Sequence, residues 1–151
     1  FGLPNTDWLG DPALAKLAIG FVLLWRTVGY LTIFFLAALQ NVPAEQYEAA
    51  ALDGAGRIRT FFTVTLPGIQ PISAFVIVTS FISAAQLFDE PYLLTKGGPG
   101  ESTISIAMFI YRAAFERQQF GYAAAAGVVL FAIVFTVSQG LNRLLGIGRD
   151  S

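Results

Sequence analysis

The chain is 151 residues long, 55% apolar and only 13% charged. A soluble domain carries roughly 25% charged residues, so the composition is that of a membrane protein. The absence of Cys and His excludes a thiol nucleophile, a disulfide framework, the usual zinc and haem ligand sets and a histidine proton shuttle, so any chemistry would have to run on carboxylates, hydroxyls, Lys or Arg. Nine Lys and Arg against ten Asp and Glu give a net charge of −1, which offers nucleic acid no basic surface.

The chain opens at Phe1 without a charged stretch followed by an apolar one, so no signal peptide is expected and the sequence reads as the downstream piece of a longer protein. A hydrocarbon layer of about 30 Å needs roughly 20 apolar residues in helix, with few interior charges. Three stretches meet this requirement, at about 17–39, 71–88 and 120–141. The first is interrupted only by Arg26. The second lies in a charge-free tract in which Pro67 and Pro71 place a new helix start near Pro71. The third carries Gly121, Ala123, Ala126 and Gly127, a small-residue surface that lets another helix approach closely. The expected fold class is all-α, a polytopic transmembrane helical bundle.

Between the first two spans, residues 40–68 are too polar to cross and too patterned for a flexible linker. Pro43 and Glu45 suit the first turn of a short helix running through Ala51. Gly54 suits a left-handed turn, Asp53 is expected to cap a second helix over 55–63, and Leu66-Pro67 to end it. This helix-turn-helix is expected to expose Tyr47, Leu52, Phe61 and Phe62. Between the second and third spans, residues 89–119 hold the turn-forming Lys96-Gly97-Gly98-Pro99-Gly100. An amphipathic segment follows from Ser102, with Ile104, Met108, Tyr111 and Phe115 at helical spacing, and is expected along the membrane interface. Charge does not orient the bundle: Arg57, Arg59, Arg143 and Arg149 fall on one side, Lys16, Lys96, Arg112 and Arg117 on the other.

The most specific signal is Glu48-Ala49-Ala50, then Gly54 after three residues, then Val64-Thr65-Leu66-Pro67. The triplet alone is common in helices. With Gly54 and Leu66-Pro67 at these offsets and a span on each side, it resembles the EAA motif of permease subunits of binding-protein-dependent ABC importers. Asn41-Val42-Pro43, Asp53-Gly54-Ala55, the stretch from Leu94 to Gly100 and Phe120-Gly121-Tyr122-Ala123 are similar to the carbohydrate-uptake branch, typified by maltose and glycerol-phosphate permeases. The likeness runs over nearly the whole chain. Val64 stands where Ile is usual, and three spans stand where such permeases have about six.

The resemblance implies that residues 1–151 are the C-terminal part of one transmembrane domain, with 40–68 a cytoplasmic coupling loop and 89–119 extracytoplasmic. It further implies a multi-pass protein of a bacterial or archaeal inner membrane. Its expected partners are a second homologous permease, two ATP-binding subunits, an extracytoplasmic solute-binding protein, membrane lipid and a sugar. No cofactor is expected, since no phosphate-binding loop is present and ATP is bound by the partner. Coupling to the ATPase is assigned to Glu48, Ala49, Ala50, Asp53, Gly54, Phe61, Leu66 and Pro67: the alanines admit close approach, Glu48 supplies a charge and Phe61 an aromatic anchor.

Polar groups at mid-membrane depth tend to face a cavity or a neighbouring helix. Arg26, Thr27 and Tyr30 share a face of the first span, and Ser80, Ser83 and Leu87 a side of the second. These six are the expected substrate contacts, combining hydroxyl and guanidinium donors with a ring for stacking on a sugar. Arg26 leaves open an anionic solute, such as a sugar acid or glycerol phosphate, or a counter-charge on a missing helix. Two rivals are a membrane-embedded enzyme using Asp53, Asp89 or Glu90, and a non-transporting anchor subunit. Adjacent Asp89 and Glu90 point apart on a helix, which favours an interfacial or binding-protein contact over acid–base work.

Overall fold

A computed structural model describes residues 7–145, so the end of the expected tail, 146–151 with Arg149, lies outside the described residues, while Arg143 falls in the last turn of the final helix. Every regular element among those residues is helical. The first helix, α1, runs over Pro12–Gln40 and starts ahead of the expected position 17. Asp11 caps it, accepting the amides of Ala13 at 2.8 Å and Leu14 at 3.0 Å, while Pro12 fills a first-turn position that needs no N–H. At 1.5 Å rise per residue α1 is about 43 Å long, more than the hydrocarbon layer requires.

Beyond α1 the chain turns through α2 (Ala44–Leu52) into α3 (Arg57–Gly68), which meets α4 (Gln70–Ala85) at a 64° bend. α3 is longer than expected. A π-helical turn over Phe61–Thr65 interrupts it, closed by the Leu66 amide on the Phe61 carbonyl. The wider turn accommodates Pro67, which lacks the amide an α-turn would use, so the helix continues to Gly68 instead of stopping at Leu66-Pro67. α4 spans 16 residues, or about 24 Å, and is too short to cross alone. It ends at Ala85, not near 88, and α3 with α4 forms one bent candidate span beside α1 and the last helix.

A π-helical turn at Pro91–Thr95 follows. The expected helix start at Ser102 is displaced: α5 begins at Ile106, runs to Tyr111 and continues through a π turn at Arg112–Glu116. Ser105 is its cap, accepting the Met108 amide at 3.1 Å. Thr103 is occupied in the preceding loop, where its hydroxyl donates to the Gly98 carbonyl at 2.8 Å and pairs with Thr95 at 2.7 Å. α6, Phe120–Leu144, closes the described chain.

α4 packs against α1 and α6, and α5 folds back on α6. The small-residue surface of α6 is partly used at home: Ala123 is buried against Ala113 and Ala114, with Ile110 alongside. Large apolar side chains stand exposed along α1 and α6, among them Phe21, Trp25, Ile33, Val128 and Phe131. Such continuous apolar surface requires lipid or other helices against it.

Candidate functional site

The first candidate site is the elbow between α1 and α4. α2 ends in a Schellman closure: the Ala55 amide bonds the Ala50 carbonyl at 2.9 Å and the Gly54 amide bonds Ala51 at 3.0 Å, with Gly54 left-handed at φ 70°. Asp53 is therefore the C-cap of α2. It does not cap the following helix, whose N-cap is Gly56 with no side-chain bond. Glu48, Ala49, Asp53, Gly54, Phe61, Leu66 and Pro67 are exposed and Ala50 is half-buried. Leu52, 89% exposed, and Ile58 form an apolar tip, and the Phe61 and Phe62 rings meet edge to face at 5.2 Å. Tyr47 does not project as expected: it is half-buried, and its hydroxyl pairs with that of Thr65 at 3.1 Å. That bond braces α2 against the π turn of α3.

The elbow joins the spans tightly. Val42, buried just past α1, abuts Gly68 at the bend: a Cβ on Gly68 would lie 2.7 Å from Val42 Cγ2. Above this point the Phe34 and Phe75 rings pack at 5.9 Å, fixing α1 and α4 side by side. Counting about 1.5 Å per residue from that contact, Ser80 lies at about the depth of Tyr30 and Ser83 at about that of Arg26.

The second candidate site lies at that depth. Arg26 and Tyr30 are exposed, Thr27, Ser80 and Leu87 half-buried, and Ser83 exposed. Tyr30 leans edge-on against Phe34 at 4.9 Å. Thr79 spends its hydroxyl on the Phe75 carbonyl at 2.8 Å. Among the described residues, Ser80 and Ser83 make no such back-bond and keep their hydroxyls available.

Arg26 has a partner within this chain. Its guanidinium meets Glu90 Oε1 at 2.8 Å, with the Glu90 side chain 6% exposed and that of Arg26 63%. Within this chain Glu90 therefore faces Arg26 and not the interface where it was expected, because the turn after α4 folds inward against the middle of α1. Asp89 is exposed. One half of the signal was present, since Arg26 is the sole charge within the expected spans and calls for an acid; which of the adjacent Asp89 and Glu90 supplies it is not written in the local sequence.

Next to Glu90, Tyr92 stacks on Phe88 at 5.0 Å and meets Tyr111 at 5.5 Å, and Phe115 extends the group. The Tyr111 phenol is pushed above its ordinary value, first by hydrogen bonding with the Tyr92 side chain. Among the described residues no cluster of acidic groups suits a metal, and the enzyme rival loses its convergent carboxylates, since Asp53 sits on the elbow and Glu90 is held by Arg26.

A helical, membrane-spanning subunit with a structured elbow between two spans is the class of protein this geometry defines. The chain belongs to the family described as binding-protein-dependent transport system inner membrane components, whose model matches residues 1–146. It is 43% identical over 155 residues to the diacetylchitobiose uptake system permease protein NgcF of Streptomyces coelicolor, covering 98% of this chain and 44% of that protein. It is 40% identical over 143 residues to the probable ABC transporter permease protein YurN of Bacillus subtilis, covering 95% and 49%. Among solved structures, a bacterial ABC transporter involved in the import of the acidic polysaccharide alginate superposes with a TM-score of 0.85 at 26% identity, covering 95% of this chain and 51% of that one. The chain spans about half the length of the curated relatives it matches.

Proposed function

We propose that the protein containing this chain is a pore-forming permease subunit of an ATP-driven sugar importer, a transport subunit and not an enzyme. The observation that carries the reading is the elbow. Its apolar tip and the exposed Glu48-Ala49 surface project between two spans, while the Val42–Gly68 and Tyr47–Thr65 contacts tie it to α1 and α4. An ATPase subunit seated on that tip moves both spans as a lever, without chemistry in the permease itself. The partners are a second permease, two ATP-binding subunits and an extracytoplasmic solute-binding protein, with the elbow cytoplasmic. The names of the relatives, mostly sugar systems, support the substrate class.

The sugar path runs along the α1 face bearing Arg26, Thr27 and Tyr30 and along Ser80, Ser83 and Leu87 of the neighbouring segment. The alginate importer favours a second reading, an anionic saccharide held by Arg26. Pairing of Arg26 with Glu90 supports the neutral one.

Cysteine at Ala50 should cross-link to the ATP-binding subunit in inside-out vesicles, and cysteine at Leu93 should not. Absence of the first cross-link, or elbow labelling from the outer face, refutes the coupling assignment. Arg26→Ala and Tyr30→Ala should weaken uptake without preventing assembly; unaltered affinity in both removes the proposed path.

A further inference from the structure

The geometry points to Glu90 as a specificity-determining positioning residue, the built-in counter-charge that makes the Arg26 face of the path a neutral polar surface suited to uncharged polyols. This rests on the reading that the α1 face bearing Arg26 and Tyr30 lines the path. Three observations carry it. The Glu90 side chain is almost wholly buried while its Arg26 partner is largely exposed, so a solute on this face meets guanidinium N–H groups and not the carboxylate. The pair is asymmetric: Glu90 Oε2 is buried without a hydrogen-bond partner, and among the described residues Arg26 is the cation paired with the carboxylate. Glu90 also precedes Pro91, the first residue of a π turn packed on α1, so its backbone is anchored beside α1 and its side chain starts from a buried position.

The chemical consequence follows from charge. An unopposed guanidinium lining the path attracts carboxylates and sulfonates and binds them bidentately. With a carboxylate 2.8 Å behind it, the net charge is cancelled while the outward N–H groups still donate to hydroxyl oxygens. Substrate charge is thereby read at a residue the substrate does not touch.

The test uses the complete importer in a background whose one cysteine is at Tyr30→Cys, a helical turn from Arg26; the present 151 residues contain no native Cys. The probes are methanethiosulfonate reagents of like size, the anionic ethylsulfonate and the cationic ethyltrimethylammonium, and the readout is the ratio of their labelling rates. A unit charge about 6 Å away in a water-filled path changes each rate about threefold in opposite senses, hence the ratio about tenfold. With Glu90 intact the ratio should match that of a free thiol. Glu90→Gln should raise it about tenfold towards the anion, Arg26→Gln should lower it, and the double variant should return it. A merely structural Glu90 leaves the ratio unmoved. If labelling occurs and Glu90→Gln does not shift the ratio, the assignment of Glu90 is overturned while the path stands. If neither reagent reaches position 30, that face does not line the path and both readings fall. Should Glu90→Gln fail to assemble, the Tyr30→Cys protein decides alone, because an anion-favouring ratio with Glu90 present overturns the proposal.

Discussion

Gly68→Ala isolates the joint between α1 and the bent second span. The added Cβ would lie 2.7 Å from Val42 Cγ2, 3.3 Å from Cγ1 and 3.6 Å from Cβ, whereas carbon atoms pack at about 3.5–4.0 Å. Both methyls of Val42 are too near, so moving one of them does not relieve the contact, and Val42 is itself buried. The α3–α4 bend must retreat from α1 by about 1 Å, an overpacking that costs about 1–3 kcal/mol. The variant should therefore lower the free energy of detergent-induced unfolding of the full-length permease by that amount and reduce ATP-driven uptake. Val42→Ala in the same chain removes both offending methyls and should recover at least about 1 kcal/mol, read as a double-mutant coupling energy. A Gly68→Ala protein of unchanged stability, or one that Val42→Ala makes worse additively, would refute the pinch as the element that sets the joint.

Gly54 stands left-handed with nothing within 4 Å of where a Cβ would lie, so backbone strain of about 1–2 kcal/mol, and not a clash, is expected for Ala; Gly54→Asn should be more stable than Gly54→Ala in unfolding of the isolated permease, and the reverse order would contradict the closure described. If coupled uptake nevertheless falls with side-chain size, the surface at Gly54 is in contact with the ATPase. Tyr47→Phe and Thr65→Val should each cost about 0.5–1.5 kcal/mol by removing their shared hydrogen bond, and the double variant no more than one of them alone; strict additivity in the same unfolding measurement argues against the brace. Gly97→Ala combines φ 83° with a Cβ 2.9 Å from Ile104 Cγ1 and 3.1 Å from Met108 Cε. It should speed hydrogen exchange across residues 97–112 relative to wild type, and unchanged protection there would be the contrary result.

The long periods were legible because hydropathy over 20 residues averages out local detail: α1, α6 and the short helix Ala44–Leu52 lie close to where the sequence places them. The Asp11-Pro12 start of α1 was equally readable, a side-chain cap followed by a first-turn proline, yet the apolar run drew the boundary inward. Pro67 misled because a proline is a stop signal only for an α-turn, and the π turn before it changes which amide is required. Of the candidate sites, the Gly54 turn follows from local chemistry. The Arg26–Glu90 pair does not, since its halves are remote in sequence and meet only when the segment after α4 folds inward. Tyr47 was misread for a similar reason: an exposed tyrosine and one reaching Thr65 have the same local sequence.

The order in which the two halves of that ion pair are synthesised has a price in biogenesis. Glu90 follows Arg26 into the translocon roughly 60 residues later, and at about 5–20 residues per second this is an interval of about 3–12 s. During it the nascent helix carries an unneutralised guanidinium whose insertion is disfavoured by about 2.5–3.5 kcal/mol. The flanking Leu, Phe and Trp must outweigh this cost while the acid is still inside the ribosome or its exit tunnel, so the apolar excess of the first span serves its delivery into lipid before it serves the finished bundle.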